Sequence, residues 1–388
     1  MDANRPVSSE SAPLGGGVSA PVSGISSGLA PARRRGPRGS RLWLFRFIVV
    51  TVVTLVAGEL GSRAFWFLRG GVPLTDPGRV LWSLYPGLAK VDKHHPRQDN
   101  RVYDVLLLGA STLHPDFGPI ELMLQERLTR ELRQRVRIFN IAEAGHMSRD
   151  SLLKYQATGP ARFDLVLVYD NINETRANNC PPEIFRADYS HFGWYLSANA
   201  LAPYHGRARW GLPMTCQFLG TLAQRFVYSD SMVSRGDPRP DWLPYGQTVR
   251  SADSLKANLE EIVSLARSRG EPVVLMSFAS YFVDDYTREK FKKLELDYCL
   301  HISPTDIWGP QDQVRNAVQV HNSVIVSVAQ AHPEVIFVDQ EAGLAKSRTL
   351  FNDSCHLTCE GCRDFVDNLV AELLRRGVLP NPETEARE

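Results

Sequence analysis

The residues best suited to chemistry stand near the C-terminus, in the stretch NDSCHLTCEG at positions 352–361. There Asp353 precedes His356 by three positions, just ahead of a predicted helix start. An imidazole is a base whose pKa lies near neutral. A carboxylate beside it can accept a hydrogen bond from the far ring nitrogen and so fix the tautomer. The pair therefore predicts a general base that activates a hydroxyl nucleophile elsewhere in the chain.

Three cysteines crowd the same stretch and offer other interpretations: Cys355, Cys359 and Cys362. A zinc site made of these thiols and His356 would consume the base and cluster its ligands around one helix start. The Cys-x-x-Cys spacing could lower a thiol pKa at a helix N-terminus, but the strand–motif–helix context of redox proteins is missing. Structural disulfides are the simpler interpretation for an exported domain, with Cys180 and Cys216 as the preferred pair.

The elements that must position these side chains begin near residue 100. Five continuous apolar runs are typical of strands buried on both faces, and they occupy positions 103–109, 136–142, 163–170, 271–278 and 334–340. The stretches between them carry apolar residues at helical spacing. Strand–helix alternation predicts an α/β fold, a three-layer α/β/α sandwich with a five-stranded parallel sheet. Residues 176–250, rich in Pro, Gly and aromatic residues without a clear period, predict an insertion over one rim of the sheet.

Candidate residues follow the strands at the edge where open parallel sheets bind ligands. Ser111 follows the first run, Gly145 the second and Asn173 the third. Asp353 and His356 follow the last run. Each residue type is common after a strand, but the ordered set is far more specific than any one member. It indicates a hydrolytic site built around a serine nucleophile.

This order resembles the SGNH hydrolase superfamily, the GDSL-type esterases and lipases. The blocks that carry the resemblance are GAS at 109–111, NIAEAG at 140–145, NINE at 171–174 and DSCHLTCEG at 353–361. The last block is the closest match, and the resemblance covers about residues 102–376 outside the insertion. Four positions depart from the family pattern: Ala110 for Asp, Ala142 for Gly, Asn171 for Gly and Glu174 for Asp.

The resemblance implies a flavodoxin-like SGNH fold and assigns roles to these residues. Ser111 would be the nucleophile, His356 its base and Asp353 the partner of that base. The oxyanion hole would be formed by the Ser111 and Gly145 backbone N–H groups and the Asn173 amide. No metal and no cofactor is implied. Three further residues are weaker candidates for substrate contacts: His114, His146 and Asn171. At position 171, Asn would tolerate a positive φ better than most residues if one is required there.

The N-terminal region indicates membrane anchoring. Residues 1–41 are rich in Gly, Ser, Pro and Ala and predict a disordered cytoplasmic tail. Residues 42–68 predict a transmembrane signal anchor with its flank, 69–101 a linker, 102–378 the hydrolase-like domain and 379–388 a disordered tail. Arginines are more numerous before the span than after it, so the positive-inside rule places the catalytic domain in the periplasm or outside the cell.

The expected function is an exported, membrane-anchored serine esterase that cleaves an O-acyl ester on a small molecule, an envelope glycan or a lipid. Two alternatives stay open: an O-acyltransferase that passes the acyl group to a polysaccharide, and a catalytically silent envelope binding protein. A net charge of +1 and the lack of a basic-aromatic stripe argue against a nucleic-acid partner. The sequence does not specify an oligomeric state.

Overall fold

A computed structural model describes residues 38–94, 101–206, 214–227, 232–233 and 236–379. Most of the predicted N-terminal tail and nearly all of the predicted C-terminal tail therefore lie outside the described residues. The described part forms two compact units, residues 1–54 and 55–388. The first helix, α1, spans Arg38–Gly70 and so already includes the last positions of the tail predicted for residues 1–41.

The second unit contains a five-stranded sheet whose strands are all parallel, with the order β2-β1-β3-β4-β5. The strands are β1 Val102–Gly109, β2 Arg135–Asn140, β3 Leu165–Tyr169, β4 Val273–Met276 and β5 Ile336–Val338. Each predicted apolar run yields one strand, shorter than its run except for β1. The predicted fold class is confirmed: the chain adopts an α/β fold with a five-stranded parallel sheet.

Helices cover both faces of the sheet. They are α2 Gly87–His94, α3 Ile120–Leu132, α4 Ser148–Ala157, α5 Gly193–Leu201, α6 Met214–Val227, α7 Ser251–Arg269, α8 Arg288–Lys292, α9 Gln311–Ala331, α10 Gln340–Gly343 and α11 Cys359–Arg375. Short 3-10 helices span Pro77–Ser83, Ser111–Leu113, Ile172–Asn178, Ala202–Tyr204, Pro240–Gln247 and Thr305–Ile307.

Alternation along β1 shows how the three layers arise. Val105 and Leu107 pack in one core cluster with the apolar faces of α3 and α11. Leu106 and Leu108 point the other way, into a second cluster with α4 and α7. Successive side chains of a strand point to opposite faces, so a strand that is apolar at every position needs a covering layer on both sides.

Residues 69–94, the described part of the stretch expected to be a linker, pack against the folded unit. This segment buries Val80, Leu81, Tyr85 and Val91 in the second core cluster. The apolar residues in this stretch are too widely spaced to predict an element, but together they cover one side of that cluster. The folded core therefore includes residues that precede β1.

The insertion 176–250 is folded in its described part. It contains α5, α6 and two 3-10 helices, Ala202–Tyr204 and Pro240–Gln247. Its aromatic residues supply most of a separate buried cluster that includes Tyr189, Phe192, Tyr195 and Trp242. The aromatic content noted in the sequence thus forms a local core, although no regular period predicts it.

The segment from Arg41 to Gly70 of α1 is long and apolar enough to cross a membrane, by length and composition. Its mean hydropathy reaches 1.9 in a window of which none is buried. In the second unit, α1 changes character: Ser62 and Trp66 are buried against the folded domain. Phe67 and Leu68 remain exposed beyond this contact, so exposed apolar side chains continue along α1 to the end of the stretch 42–68 predicted from the sequence.

Candidate active site

Ser111, His356 and Asp353 form a continuous hydrogen-bonded chain. The Ser111 Oγ lies 2.9 Å from His356 Nε2, and His356 Nδ1 lies 2.7 Å from an Asp353 carboxylate oxygen. An ionised carboxylate can only accept, so Nδ1 carries the proton and Nε2 is left to accept from the serine hydroxyl. All three side chains are buried. Ser111 and His356 are 245 positions apart in sequence, and the fold brings their side chains into contact.

The end of β1 places the serine. Gly109 is the last residue of β1, and a Cβ at this position would lie 2.6 Å from the Tyr169 carbonyl oxygen on β3. Only glycine fits so close an approach without a shift of backbone. Ser111 then opens the 3-10 helix Ser111–Leu113. The first N–H groups of a helix have no partner within it, which suits the Ser111 N–H to a substrate oxygen.

Asn140, the last residue of β2, stabilises this turn. The sequence predicts no role for it except as the first residue of the block at 140–145. Its Nδ2 donates to the Leu113 carbonyl oxygen at 2.7 Å and to Glu121 at 3.0 Å. Its Oδ1 accepts from the Ala142 N–H at 3.0 Å. One amide therefore ties the nucleophile turn to the loop that carries Gly145. Its position at the end of a strand does not indicate that its partners lie in the Ser111 turn, in α3 and in the loop that carries Gly145.

Asp353 is fully buried, but backbone N–H groups of the protein donate hydrogen bonds to its carboxylate in place of water. One oxygen accepts the N–H groups of Cys355 and His356 at 2.9 and 2.8 Å, and the other accepts the N–H of Ser303 at 2.8 Å. Burial alone would raise its pKa, but His356 and the hydrogen bonds outweigh burial and hold the pKa below the usual Asp value.

The lowered pKa has a consequence for stability. A carboxyl group whose pKa is lower in the folded state stabilises the fold above its unfolded pKa. This contribution is lost as the pH falls through the lowered folded value. At neutral pH the carboxylate is charged and can support His356.

Phe117 covers the imidazole in a way that the sequence does not indicate. Its ring is stacked on the His356 ring, with centroids 4.5 Å apart and an angle of 17° between the planes. The stack restricts rotation of the imidazole about its side-chain bonds. Phe117 is only six positions after Ser111, but a lone aromatic residue in a loop has no period that would mark its partner.

The two other predicted oxyanion donors lie side by side. Gly145 has φ +74°, a region that favours glycine. Asn173 is buried, and its Nδ2 donates to the carbonyl oxygen of His146, the residue after Gly145, at 2.9 Å. Its Oδ1 accepts from Trp308 Nε1 at 2.8 Å. The Trp308 bond fixes the amide orientation, and a primary amide still has a second N–H to offer a substrate.

We expect Asn173→Ala to slow ester turnover by about 10²–10³ while labelling of Ser111 by a serine-directed probe continues, because a transition-state donor is lost and the nucleophile remains. Asn173→Asp, which keeps the acceptor for Trp308 but removes both N–H donors, should be slow as well. Steady-state kinetics on p-nitrophenyl esters measure both. Asn199→Ala, a change in α5, is the control. Full turnover by both position-173 variants would contradict the role.

The three weaker candidates for substrate contacts lie in different surroundings. His114 is half-buried at the rim, with Nε2 3.9 Å from a Glu143 oxygen. His146 is buried, and its Nδ1 lies 3.1 Å from the Lys154 ammonium in an internal polar cluster. The buried side chain of Asn171 donates to the Val318 carbonyl oxygen and to Asn322, both on α9, so its hydrogen bonds are made to the scaffold. Its φ of −173° is ordinary extended backbone, so no positive φ explains the Asn.

A buried charged cluster supports the loop that carries Gly145. The Lys154 ammonium, fully buried, donates to the carbonyl oxygen of Ile141 at 2.7 Å. Asp150 accepts from Tyr85 and Trp194, each at 2.8 Å, and from the Met147 N–H at 2.9 Å. Burial lowers the pKa of Lys154, against the attraction of its acidic neighbours. The loop 141–147 is therefore fixed at both ends by α4.

Glu174, one of the departures from the family pattern, is also buried in this region. It accepts from the backbone N–H of Ser148 and from the Tyr189 hydroxyl. Burial raises the pKa of Glu174 to about 8, and that of its neighbour Asp170 to about 6. Glu174 links the loop after β3 to the start of α4 and to the insertion. It contacts the scaffold of the site rather than the triad.

Among the described side chains, the cysteines do not form the disulfides expected from the sequence. The five cysteines whose side chains the structure describes are all free: Cys180, Cys299, Cys355, Cys359 and Cys362. The side chain of Cys216, the preferred partner of Cys180, lies outside the described part. Cys355 and Cys362 are instead buried in the main core cluster, where they pack as small apolar side chains.

The same residues fit a metal or redox site poorly. Asp353, Cys355 and His356 offer ligand atoms within 4.8 Å of one another. Burial, and then the Asp353 charge, raise the pKa of the Cys355 thiol well above its usual value, so it does not supply the thiolate that zinc prefers. Burial raises the pKa of Cys362 to about 12, opposite to the lowered value of a reactive thiol.

Comparison with known proteins gave matches among solved structures alone. No protein-family model and no curated protein matches the sequence. An alpha/beta hydrolase enzyme from the metagenome of Lake Arreo, Spain, has 13% identity and a TM-score of 0.39, with 72% of this chain and 96% of that chain covered. An acetyl xylan esterase from Geobacillus stearothermophilus has 13% identity and a TM-score of 0.40, with coverages of 70% and 94%.

A third similar structure is a GDSL-like lipase from Bacteroides thetaiotaomicron, with 13% identity, a TM-score of 0.37 and coverages of 76% and 96%. Identities and scores this low do not decide a reaction or a substrate, so the functional argument depends on the geometry above. Of these three structures, the lipase is described as GDSL-like, the type that the sequence blocks of this chain resemble.

Proposed function

We propose that this protein is a serine ester hydrolase of the SGNH type that cleaves an O-acyl ester. The observation that carries the proposal is the buried chain from Ser111 through His356 to Asp353, with bonds of 2.9 and 2.7 Å. A serine hydroxyl is a poor nucleophile until a base takes its proton. The imidazole is held in the tautomer that can do so.

In the proposed reaction, His356 Nε2 takes the proton of Ser111 as Oγ attacks the ester carbonyl carbon. The oxyanion that forms is stabilised by the Ser111 and Gly145 N–H groups and by the Asn173 amide. The tetrahedral intermediate then expels the alcohol, which receives the proton from His356, and leaves an acyl group on Ser111. Water, deprotonated by the same imidazole, releases the acid and restores the serine.

A fluorophosphonate probe, which traps activated serines, tests this proposal. We expect the wild type to be labelled and Ser111→Ala to remain unlabelled, because the covalent bond forms at Oγ. Ser303→Ala is the matched control, since this residue supports Asp353 through its backbone N–H alone. Labelling that persists in Ser111→Ala, or ester turnover by that variant at the wild-type rate, would refute the assignment.

The acceptor and the ester are part of the same proposal. An O-acyl group on an envelope glycan or lipid is the substrate class that an anchored, exported esterase would meet. Turnover of p-nitrophenyl esters with and without glycan acceptors distinguishes hydrolysis from acyl transfer: an acyltransferase would be accelerated by the acceptor and yield acylated glycan. Absence of both labelling and turnover with all esters would favour a silent binding protein.

Anchoring by α1 completes the proposal, with the N-terminus in the cytoplasm and the catalytic domain exported. The helix has sufficient apolar length, and five arginines precede the span at 33–35, 38 and 41. We expect a reporter that is active only outside the cytoplasm to be active when fused at the C-terminus. A fusion that is expressed but inactive, beside an active cytoplasmic reporter at the same site, would contradict this topology.

A further inference from the structure

A small apolar pocket lies where α1 joins the folded domain, away from the triad. Its water-accessible volume is about 50 Å³, and it opens to solvent. Its apolar lining comes from α1, α5, α6 and the loop before α2: Phe65, Trp66, Leu84, Leu201, Phe218 and Leu222. The polar lining consists of Arg69, Ser83 and Ser197. The pocket is thus apolar along its walls and has a cation at one position.

Two polar groups in this lining have neither a hydrogen-bond partner nor an ion-pair partner among the described residues. The Trp66 side chain is only 5% exposed, and its Nε1 donor is buried with no acceptor there. A buried donor without an acceptor destabilises the folded state. Arg69 is exposed and makes no ion pair with the described residues; its guanidinium lies 5.7 Å from the centre of the Phe65 ring. The pocket therefore offers a neutral donor and a free cation beside an apolar wall.

The position along α1 indicates what could reach this pocket. About 20 helical residues cross the hydrocarbon core of a bilayer, so a span that begins at Leu42 ends near Gly61. At 1.5 Å per residue, Trp66 and Arg69 follow about 8 and 12 Å later. This is the depth of the lipid headgroups, where tryptophan is enriched and where an arginine can reach back toward phosphate.

Helix α6 extends the same surface. Its first turn is attached to α1, because Glu59 accepts a hydrogen bond from the Thr215 N–H at 3.2 Å. Beyond this attachment, Leu219, Leu222 and Phe226 are exposed. Exposed apolar residues on a helix that starts beside a membrane span are typical of a helix that lies in the membrane interface.

We propose that this pocket binds a phospholipid of the surrounding bilayer. One acyl chain would lie against the apolar wall, an ester carbonyl oxygen would accept from Trp66 Nε1, and the phosphate would pair with Arg69. The chemistry explains why a buried donor and an unpaired cation stand beside an apolar wall. The inference depends on the proposed membrane anchoring but not on the proposed hydrolysis, since the bound lipid is a structural ligand.

The test uses the full chain carrying Ser111→Ala, so that the proposed nucleophile cannot consume the probe. The protein is purified in detergent and titrated with dioleoyl phosphatidylglycerol, and native mass spectrometry counts the lipid retained. We expect one tightly retained lipid. Arg69→Glu and Leu222→Asp should each raise its dissociation constant at least tenfold. Trp66→Phe, which loses only one hydrogen bond, should raise it about fivefold.

Arg130→Glu and Leu122→Asp are matched controls, because both residues are exposed on α3. Both controls should leave the dissociation constant unchanged. Phosphatidylcholine, which also carries a phosphate, should compete, whereas inorganic phosphate should not. Thermal unfolding of each variant verifies the fold, and Leu222→Trp, which fills the pocket mouth without adding charge, gives a second measure of the same loss.

Three results would overturn the proposal. The first is that the parent chain retains no lipid above the level of the detergent-exchanged background. The second is that the folded pocket variants retain as much lipid as the controls, which would assign the lipid to the outside of the membrane span. The third is displacement by inorganic phosphate alone, because the apolar wall would then have no part in binding.

Discussion

His356→Ala should lower ester turnover by roughly 10⁶, the largest effect of any single change discussed, because the serine then has no base. The serine hydroxyl lies 2.9 Å from His356 Nε2 and has no other base within reach among its described hydrogen bonds. Labelling by a fluorophosphonate should be lost together with turnover. Steady-state kinetics and probe labelling of the purified chain measure the two effects.

Added imidazole should restore part of the turnover of His356→Ala, since the ring leaves a cavity below Phe117 that a free imidazole can enter. His332→Ala is the matched control, as this histidine lies at the surface beside Glu334. A His356→Ala protein that folds and keeps more than a few per cent of wild-type turnover would remove His356 from the mechanism.

Asp353→Asn should lower turnover by about 10⁴, the cost of a wrongly set imidazole tautomer in a comparable triad. The carboxylate now accepts three backbone N–H groups and the His356 Nδ1–H, whereas an amide would offer its own N–H to one of these donors. The imidazole would then present the wrong nitrogen to Ser111. The substrate KM should change little, because no substrate contact is removed.

The unfolding temperature of Asp353→Asn should be measured together with its kinetics, because the change alters a buried carboxylate that accepts four hydrogen bonds. Asp364→Asn, an exposed position on α11, is the control. If Asp353→Asn keeps its unfolding temperature but also keeps full turnover, Asp353 does not orient the base. If KM instead rises for every ester while kcat is unchanged, the residue acts on substrate binding.

Local sequence determined the sheet and the order of the site residues along it. Each of the five strands falls on one of the five continuous apolar runs, with β1 and β2 starting one residue before theirs, because a strand covered on both faces buries most of its side chains. Ser111, Asn173 and the Asp353/His356 pair could be placed after strands for the same reason. The Asp-x-x-His spacing is short enough that one turn of chain sets the contact between the two side chains.

Long-range packing decided which side of each loop faces the site. Asn171 and Asn173 are two positions apart, yet Asn171 bonds to α9 and Asn173 to the loop that carries Gly145. Likewise, nothing in the local pattern around His146 indicates that Lys154 will bind its ring. Residue type predicts what a side chain can do, but the direction of a side chain after a strand depends on elements far away in sequence.

The sequence by itself determined the apolar strands, the chemical types that follow them and the apolar helix at the N-terminus. The tertiary structure alone decided that the described residues 69–94 complete the core, that Phe117 covers His356 and that Asn140 ties two loops together. The physical reason is that periodicity reports how much of a segment is buried, whereas partners are chosen by three-dimensional packing. Cys355 and Cys362 follow the same rule, since burial in the core, not their spacing, decided that they stay free thiols.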